Sequence, residues 1–123
     1  RRKSIWQQYY DGLKPLADKG CFEMPDMPDY ATNNAHMFYL VCRNLDERTK
    51  LISCLKENDV LAVFHYLSLH LSEYYASVED MIPSLPNCDR YANCLVRLPM
   101  YFELLDDEVQ KIIMAVKDFY GKV

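Results

Sequence analysis

Two short apolar runs separated by one amphipathic segment limit the folds open to this chain. Residues 36–43 (HMFYLVCR) and 60–66 (VLAVFHY) are rich in aromatic and β-branched side chains, which favour strands. Between them, Leu51, Ile52 and Leu55 share one helical face, with Asp46 as a predicted cap and Asn58 as a left-handed stop. Strand, helix and strand at this spacing form a crossover unit, which prefers parallel strands.

The remaining segments predict three more helices and one more strand. Residues 4–19 place apolar side chains at steps of three and four, with Ser4 as a plausible N-cap and Pro15 kinking the helix or ending it near Leu13. The clearest helical pattern covers 105–121. Further elements are a loop at 22–34, a short helix at 88–95 and a brief strand at 96–100. The expected fold is a single α+β domain over 1–123, a small sheet of about three strands with helices on one face.

The composition of the chain argues against several classes of function. The net charge of −4 disfavours nucleic acid as a partner. No apolar run approaches the roughly 20 residues of a membrane helix, and no signal peptide is visible. The five cysteines are odd in number and include no Cys-x-x-Cys, which favours buried thiols, Cys42 and Cys54 among them, in a reducing compartment over disulfides or structural zinc.

The motifs of nucleotide-binding enzymes and serine hydrolases are missing. There is no Gly-x-Gly-x-x-Gly, no Gly-Lys-Ser/Thr phosphate loop and no Gly-x-Ser-x-Gly. Only three glycines occur, and none stands where a phosphate loop would need one. These absences argue against a stand-alone nucleotide-binding enzyme.

Two of the three histidines, His65 and His70, follow the second apolar run closely. Metal binding would need a third ligand, and Glu73 is the nearest carboxylate. A catalytic pair, a ligand-binding edge and a polar rim with local hydrogen bonds are the other interpretations. Residues just beyond a strand end are where ligand contacts concentrate, so the binding edge stays open beside the structural interpretation.

Three phrases together resemble a known family: Asn34-Ala35-His36-Met37-Phe38-Tyr39, His65-Tyr66-x-x-Leu69-His70 and Arg97-Leu98-Pro99. They are similar to the C-terminal small domain of the DegT/DnrJ/EryC1/StrS sugar-nucleotide aminotransferases, which have the fold-type-I pyridoxal-phosphate architecture. The resemblance spans WQQYYDGLKPL to VKDFYG, nearly the whole chain. It departs from the family pattern at Ser68, where proline is usual, in the segment after His70, and at Leu105, where serine or threonine is usual.

The resemblance implies the small domain of a longer enzyme, with residues 1–19 as the helix that joins the two domains. The parent would be a homodimer in the cytoplasm that uses pyridoxal phosphate to move an amino group from glutamate to a dTDP-4-keto-6-deoxyhexose. The implied branch of the family makes dTDP-4-amino-4,6-dideoxygalactose for enterobacterial common antigen, within lipopolysaccharide and surface polysaccharide biosynthesis. The Schiff-base lysine would lie in the missing large domain.

The resemblance also assigns site residues. The substrate-binding candidates are His65, Tyr66, His70 and Arg97. Arg97 and, beside it, Arg90 are the weaker candidates, for holding an anionic group, and no catalytic, cofactor-binding or metal-binding residue is expected within this chain. Arg43 and Arg48 are expected on the solvated surface. We expect no transaminase activity and no bound pyridoxal phosphate from these residues alone. The alternative function is an autonomous interaction or binding module that keeps the fold without the cofactor, and a small metalloenzyme ranks last.

Overall fold

The computed structural model describes residues 1–121 and confirms the α+β class. Its strands are β1 (Phe38–Val41), β2 (Val63–Phe64) and β3 (Leu95–Leu98). Its helices are α1 (Arg2–Ala17), α2 (Leu45–Glu57), α3 (Glu73–Val78), α4 (Pro86–Cys94) and α5 (Asp106–Gly121), and one 3-10 turn covers Leu69–Leu71. The domain expected over 1–123 extends two residues past the described part of the chain.

The sheet has the order β1-β3-β2, and β3 is antiparallel to both neighbours. Strands β1 and β2 therefore run in the same direction, as the crossover pattern predicts, but they are not adjacent. Strand β3 follows α4 directly and enters between them. In the sheet, β3 therefore separates the two strands of the predicted crossover unit, although it comes after both of them in the chain.

The pleat divides the sheet into an inner and an outer face. Phe38 pairs with Leu98 and Leu40 with Val96, and all four are buried, so they define the inner face. The Phe38 ring packs edge-on against Trp6 of α1 at 5.4 Å between centroids. The inner face and helices α1, α2 and α5 share one apolar core. The outer face carries Tyr39, Arg97 and Val63, which lie side by side across the three strands.

Helix α1 differs from its prediction at both ends. It begins at Arg2, preceded by Arg1 without a side-chain cap, so Ser4 is not the N-cap. It continues through Pro15 to Ala17. A proline removes only one backbone hydrogen bond near the end of a helix, and the buried stripe Ile5, Trp6, Tyr9 and Leu13 supplies the packing that holds the helix in place.

The two ends of α2 also differ from prediction by a residue or two. Asn44, not Asp46, caps the helix: its side chain accepts a hydrogen bond from the Glu47 amide at 2.9 Å. Asp59, not Asn58, takes the left-handed conformation, with φ of 60°. At each end the observed residue has the chemistry that the prediction required. Asparagine and aspartate can both cap the start of a helix, and both can adopt the left-handed conformation at its end.

The predicted segments after α2 contain the largest errors. Strand β2 covers only two of the seven residues predicted at 60–66, while α4 and β3 begin earlier than expected. The 3-10 turn and α3 were not predicted, since no residue of α3 is buried and its sequence carries no apolar stripe. At α5 the usual Ser/Thr cap is replaced by Leu105, whose amide donates to Glu108 Oε2 at 2.8 Å.

Gly12 marks the closest approach of α1 to α5. A Cβ built at this position would lie 2.8 Å from Ile113 Cδ1, and Ile113 is only 1% exposed. Overpacking of this kind costs about 1–3 kcal/mol, more than the roughly 1 kcal/mol that alanine gains over glycine in a helix. We expect Gly12→Ala to lower the free energy of unfolding in urea and Ile113→Val to relieve part of the loss in the double variant.

The control for this close approach is Gly121→Ala, since no atom lies within 4 Å of a Cβ built there. A Gly12→Ala protein as stable as the parent would show that the two helices are further apart than the structure has them.

Candidate functional site

Arg97 is the central residue of the outer face. It lies in the middle strand, between Tyr39 of β1 and Val63 of β2. The residue is half-buried, its Nε atom is buried without a hydrogen-bond partner, and no carboxylate in residues 1–121 lies within ion-pair distance of it. A half-buried guanidinium without a carboxylate partner is suited to an anionic ligand, because its planar fork matches carboxylate and phosphate oxygens.

His65 and Tyr66 lie just beyond β2, next to Arg97. The two rings are 4.4 Å apart between centroids, and the Arg97 guanidinium carbon lies 6.0 Å from the centre of the Tyr66 ring. His65 Nδ1 is buried without a partner. Desolvation lowers the pKa of His65, and the charge of Arg97 lowers it further. A neutral imidazole at neutral pH follows, able to donate from one nitrogen and accept at the other.

A cleft of about 330 Å³ on the outer face contains Arg97 together with His36, Met37 and Val63. His36 reaches it from a turn that two asparagines build: Asn33 Oδ1 accepts from the Ala35 amide at 2.7 Å and Asn34 Oδ1 from the His36 amide at 3.0 Å. Ala35 within this turn has a positive φ of 49°. A second cleft of about 440 Å³ borders the first and shares Leu61 and Pro99 with it.

His70 lies apart from the other three predicted substrate residues. It is buried in the 3-10 turn, and its Nε2 lies 3.1 Å from Asp89 Oδ1 of α4. Ser68 Oγ lies 3.4 Å from the same oxygen, and Cys88 Sγ lies 3.5 Å from Ser68 Oγ. The structure therefore brings His65, Tyr66 and Arg97 together, while His70 faces inward toward α4.

Arg90, Arg43 and Arg48 have other partners. Arg90 pairs with Glu23, and Arg43 Nε donates to Glu47 Oε2 at 2.7 Å. Arg48, expected on the surface, is half-buried: its guanidinium donates to the Ala92 carbonyl at 3.2 Å and lies over the Phe64 ring. Arg97 therefore differs from these three in having neither a carboxylate nor a carbonyl partner in the described chain.

The lysines do not fit a Schiff-base site in the outer-face cleft. Lys14, Lys50 and Lys111 form ion pairs with Asp18, Asp46 and Asp59 at helix surfaces. No lysine lines the cleft that holds Arg97, within residues 1–121. The described residues therefore offer pyridoxal phosphate no attachment point in that cleft.

Metal binding has no support in the described residues. Over residues 1–121, no three His, Cys, Asp or Glu side chains are grouped so as to hold a metal ion. All five cysteines are unpaired thiols; Cys42 is buried and Cys54 half-buried. No helix in the same range is both long and apolar enough to cross a membrane.

Sequence reasoning missed two residues of this region. Asp89 is the second residue of the short helix predicted at 88–95, and nothing in its spacing connects it to His70. His36 belongs to the Asn34–Tyr39 phrase, but no periodicity signals that its side chain enters a cleft with Arg97. Both depend on which elements become neighbours after folding.

The chain segment that includes His65 and Tyr66 exposes many large apolar side chains. Most of the large apolar side chains exposed in the described chain lie between residues 61 and 91, and Tyr66, Leu67 and Leu69 are each more than two-thirds exposed. Soluble monomers rarely expose contiguous apolar areas of this kind. The exposed apolar surface of this segment consists of Leu61, Val63, Phe64, Tyr66, Leu67, Leu69, Leu71, Tyr74, Val78, Met81, Ile82, Leu85 and Tyr91.

Comparisons with known proteins identify the family. Residues 1–117 match the family described as the DegT/DnrJ/EryC1/StrS aminotransferase family, and the chain belongs to it. A curated relative, dTDP-3-amino-3,4,6-trideoxy-alpha-D-glucose transaminase of Micromonospora megalomicea subsp. nigra, is 30% identical over 119 residues. That match covers 95% of this chain and 31% of the relative.

Solved structures agree with the fold. The chain matches DesV of S. venezuelae, solved in complex with a ketimine intermediate, with a TM-score of 0.87 and 25% identity, over 100% of this chain and 32% of that one. The aminotransferase TlmJ from Streptoalloteichus hindustanus gives a TM-score of 0.86 at 24% identity, over 99% and 31%. The chain thus spans about a third of the length of the proteins it matches.

Proposed function

We propose that this chain is the C-terminal small domain of a pyridoxal-phosphate-dependent sugar-nucleotide aminotransferase, in which it forms one wall of the substrate cleft. The observation that carries the proposal is Arg97: a half-buried guanidinium without a carboxylate partner in the described chain, in a cleft with His36 and beside His65. Such a cleft is suited to the anionic part of a substrate, a diphosphate or a carboxylate.

The relatives support this assignment. The family is one of aminotransferases, and the curated relative acts, by its name, on a dTDP-linked amino sugar. The chain spans about a third of such proteins, which accounts for a binding wall without a Schiff-base lysine. In the parent, pyridoxal phosphate would supply the amino-transfer chemistry, with glutamate as donor and a dTDP-keto-sugar as acceptor.

The finer proposal concerns substrate and setting. We infer a dTDP-4-keto-6-deoxyhexose as the acceptor and dTDP-4-amino-4,6-dideoxygalactose as the product, for enterobacterial common antigen or another surface polysaccharide. His65, Tyr66 and Arg97 would contact this substrate, and residues 1–19 would join the domain to the large one. The parent would be a cytoplasmic homodimer, consistent with five unpaired thiols.

The exposed apolar surface supports a second candidate. An autonomous interaction module would use the side chains between residues 61 and 91 to bind a partner. The same surface on a domain of a longer enzyme would face the remainder of that enzyme. An upstream reading frame that encodes a lysine-bearing large domain favours the aminotransferase, and its absence favours the module.

Titration of the chain with dTDP tests the proposed anion site. We expect weak, saturable shifts in NMR spectra at His65 and Arg97 as dTDP reaches millimolar concentration. Hydrogen bonds to charged groups contribute about 1.5–3 kcal/mol, so Arg97→Gln is expected to weaken binding about tenfold or more. Arg90→Gln is the matched control, because Arg90 already pairs with Glu23.

Three results would contradict the proposal: no shift at millimolar dTDP, shifts that Arg97→Gln leaves unchanged, or shifts that only Arg90→Gln removes. The last would move the anion site to the edge of α4.

A further inference from the structure

The contacts of Asp89 connect the 3-10 turn to α4. Its Oδ1 is close to both His70 Nε2, at 3.1 Å, and Ser68 Oγ, at 3.4 Å. Ser68 and His70 are 8% and 5% exposed, whereas the Asp89 side chain is 36% exposed. Two buried donors thus converge on one carboxylate oxygen.

These two residues anchor a segment that has few other contacts with the core. Between Val63 and Asn93, only Ser68 and His70 are buried. Helix α3 has no buried residue. Besides the pairing of β2 with β3 and the contacts of α4 with α2, the polar contacts to Asp89 hold this stretch, because burial of apolar side chains contributes little along it.

The same helix borders the residues of the candidate site. Cys88, Tyr91 and Ala92 of α4 line a small crevice of about 180 Å³ together with His65, Tyr66 and Leu67. Helix α4 therefore contacts the segment twice, through this crevice and through Asp89.

We propose that Asp89 is a positioning residue: through His70 and Ser68 it fixes the segment that holds His65 and Tyr66 beside Arg97. His70 then has its role inside the fold, as the partner of Asp89, rather than at the ligand. The inference rests on the proposed function only in that His65, Tyr66 and Arg97 are taken to face the ligand.

The pKa of His65, measured by NMR titration of its imidazole, reports its position. Desolvation and then Arg97 lower this pKa in the folded chain. The groups that face the ring are Arg97 from β3, the adjacent Tyr66, and Cys88 and Tyr91 from α4. If the segment moves away, both causes weaken and the pKa rises toward about 6.5, the ordinary value for histidine.

Two substitutions separate geometry from charge. We expect Asp89→Ala to raise the pKa of His65, because both donors lose their acceptor. Asp89→Asn keeps an oxygen acceptor and is expected to leave this pKa close to that of the parent chain. Removing the carboxylate charge alone would lower the pKa of His65 in both variants, so a rise confined to Asp89→Ala identifies displacement.

His70→Ala removes the same contact from the other side and is expected to raise the pKa of His65 as well. Asp80→Ala is the control, since Asp80 is exposed on the same segment and makes no side-chain hydrogen bond in the described chain. Circular dichroism verifies that each variant is folded; if Asp89→Ala does not fold, His70→Ala gives the answer.

An unchanged His65 pKa in both Asp89→Ala and His70→Ala overturns the inference, and so does an Asp89→Asn effect as large as that of Asp89→Ala. Neither result requires a ligand. A positioning failure is therefore distinguishable from a failure of the anion site, which the dTDP titration of the unsubstituted chain measures separately.

Discussion

Replacing Phe38 with alanine is expected to lower the free energy of unfolding by about 3–5 kcal/mol. Phe38 is fully buried on the inner face, with its ring centroid 5.4 Å from that of Trp6 and 5.2 Å from that of Tyr9. The substitution removes the ring from the junction of sheet and α1, and both aromatic neighbours lose a partner. Urea denaturation followed by circular dichroism measures the loss.

The matched control is Phe102→Ala, the same chemical change at a residue that is 70% exposed. A cost below about 0.5 kcal/mol is expected there. Because a small domain has only about 5–15 kcal/mol of stability, Phe38→Ala removes a large part of it. Equal effects at the two positions would show that β1 is not packed against α1 as described.

The inner face also determines where the outer-face residues lie. Phe38 pairs with Leu98, so the register that buries this pair sets Arg97 beside Tyr39 on the opposite face. A shift by one residue would bury Arg97 and expose Leu98, which the cost of burying an unpaired charge excludes. Apolar packing on one side of the sheet therefore fixes the guanidinium on the other.

The elements with an apolar stripe of their own were predictable from sequence. Helices α1, α2 and α5 each bury side chains at steps of three and four, as with Val109, Ile112, Ile113 and Val116 of α5. Helix α3 lacks such a stripe, so periodicity gives no signal for it. The position of β3 between β1 and β2 depends on how the whole sheet assembles. The apolar pattern of the residues in and around β1 and β2 therefore does not predict it.

The candidate site was predictable only in part, for a related reason. The resemblance to the family pointed to His65, Tyr66, His70 and Arg97, and the structure places all of these but His70 together. It does not reveal that His70 meets Asp89, because the two lie on separate elements that approach each other only after folding. Contacts between elements without apolar periodicity are the ones that sequence patterns do not encode.

Glu47 is a buried carboxylate at the centre of a group of hydrogen-bonded side chains, and we expect its removal to destabilise the fold. Glu47 is 7% exposed; its Oε1 accepts from the Tyr120 hydroxyl at 2.6 Å and its Oε2 from Arg43 Nε at 2.7 Å. The Tyr120 hydroxyl also lies 3.7 Å from Cys42 Sγ, so this group of side chains connects the start of α2, the end of β1 and the end of α5. Burial, together with Glu47, raises the pKa of the Tyr120 phenol, which therefore remains a hydrogen-bond donor at neutral pH.

Glu47→Ala is expected to cost about 2–3 kcal/mol in urea denaturation, because it leaves the buried Tyr120 hydroxyl without its acceptor and frees Arg43. In a Tyr120→Phe background that penalty falls by about 1 kcal/mol, since no hydroxyl remains to be stranded. Glu57→Ala, at an exposed position of the same helix, is the control and should change stability by less than about 0.5 kcal/mol. Additive costs for Glu47→Ala and Tyr120→Phe would mean that the two side chains do not interact. The carboxylate would then have no part in holding α5 against α2, and apolar contacts alone would have to explain how α5 stays in place.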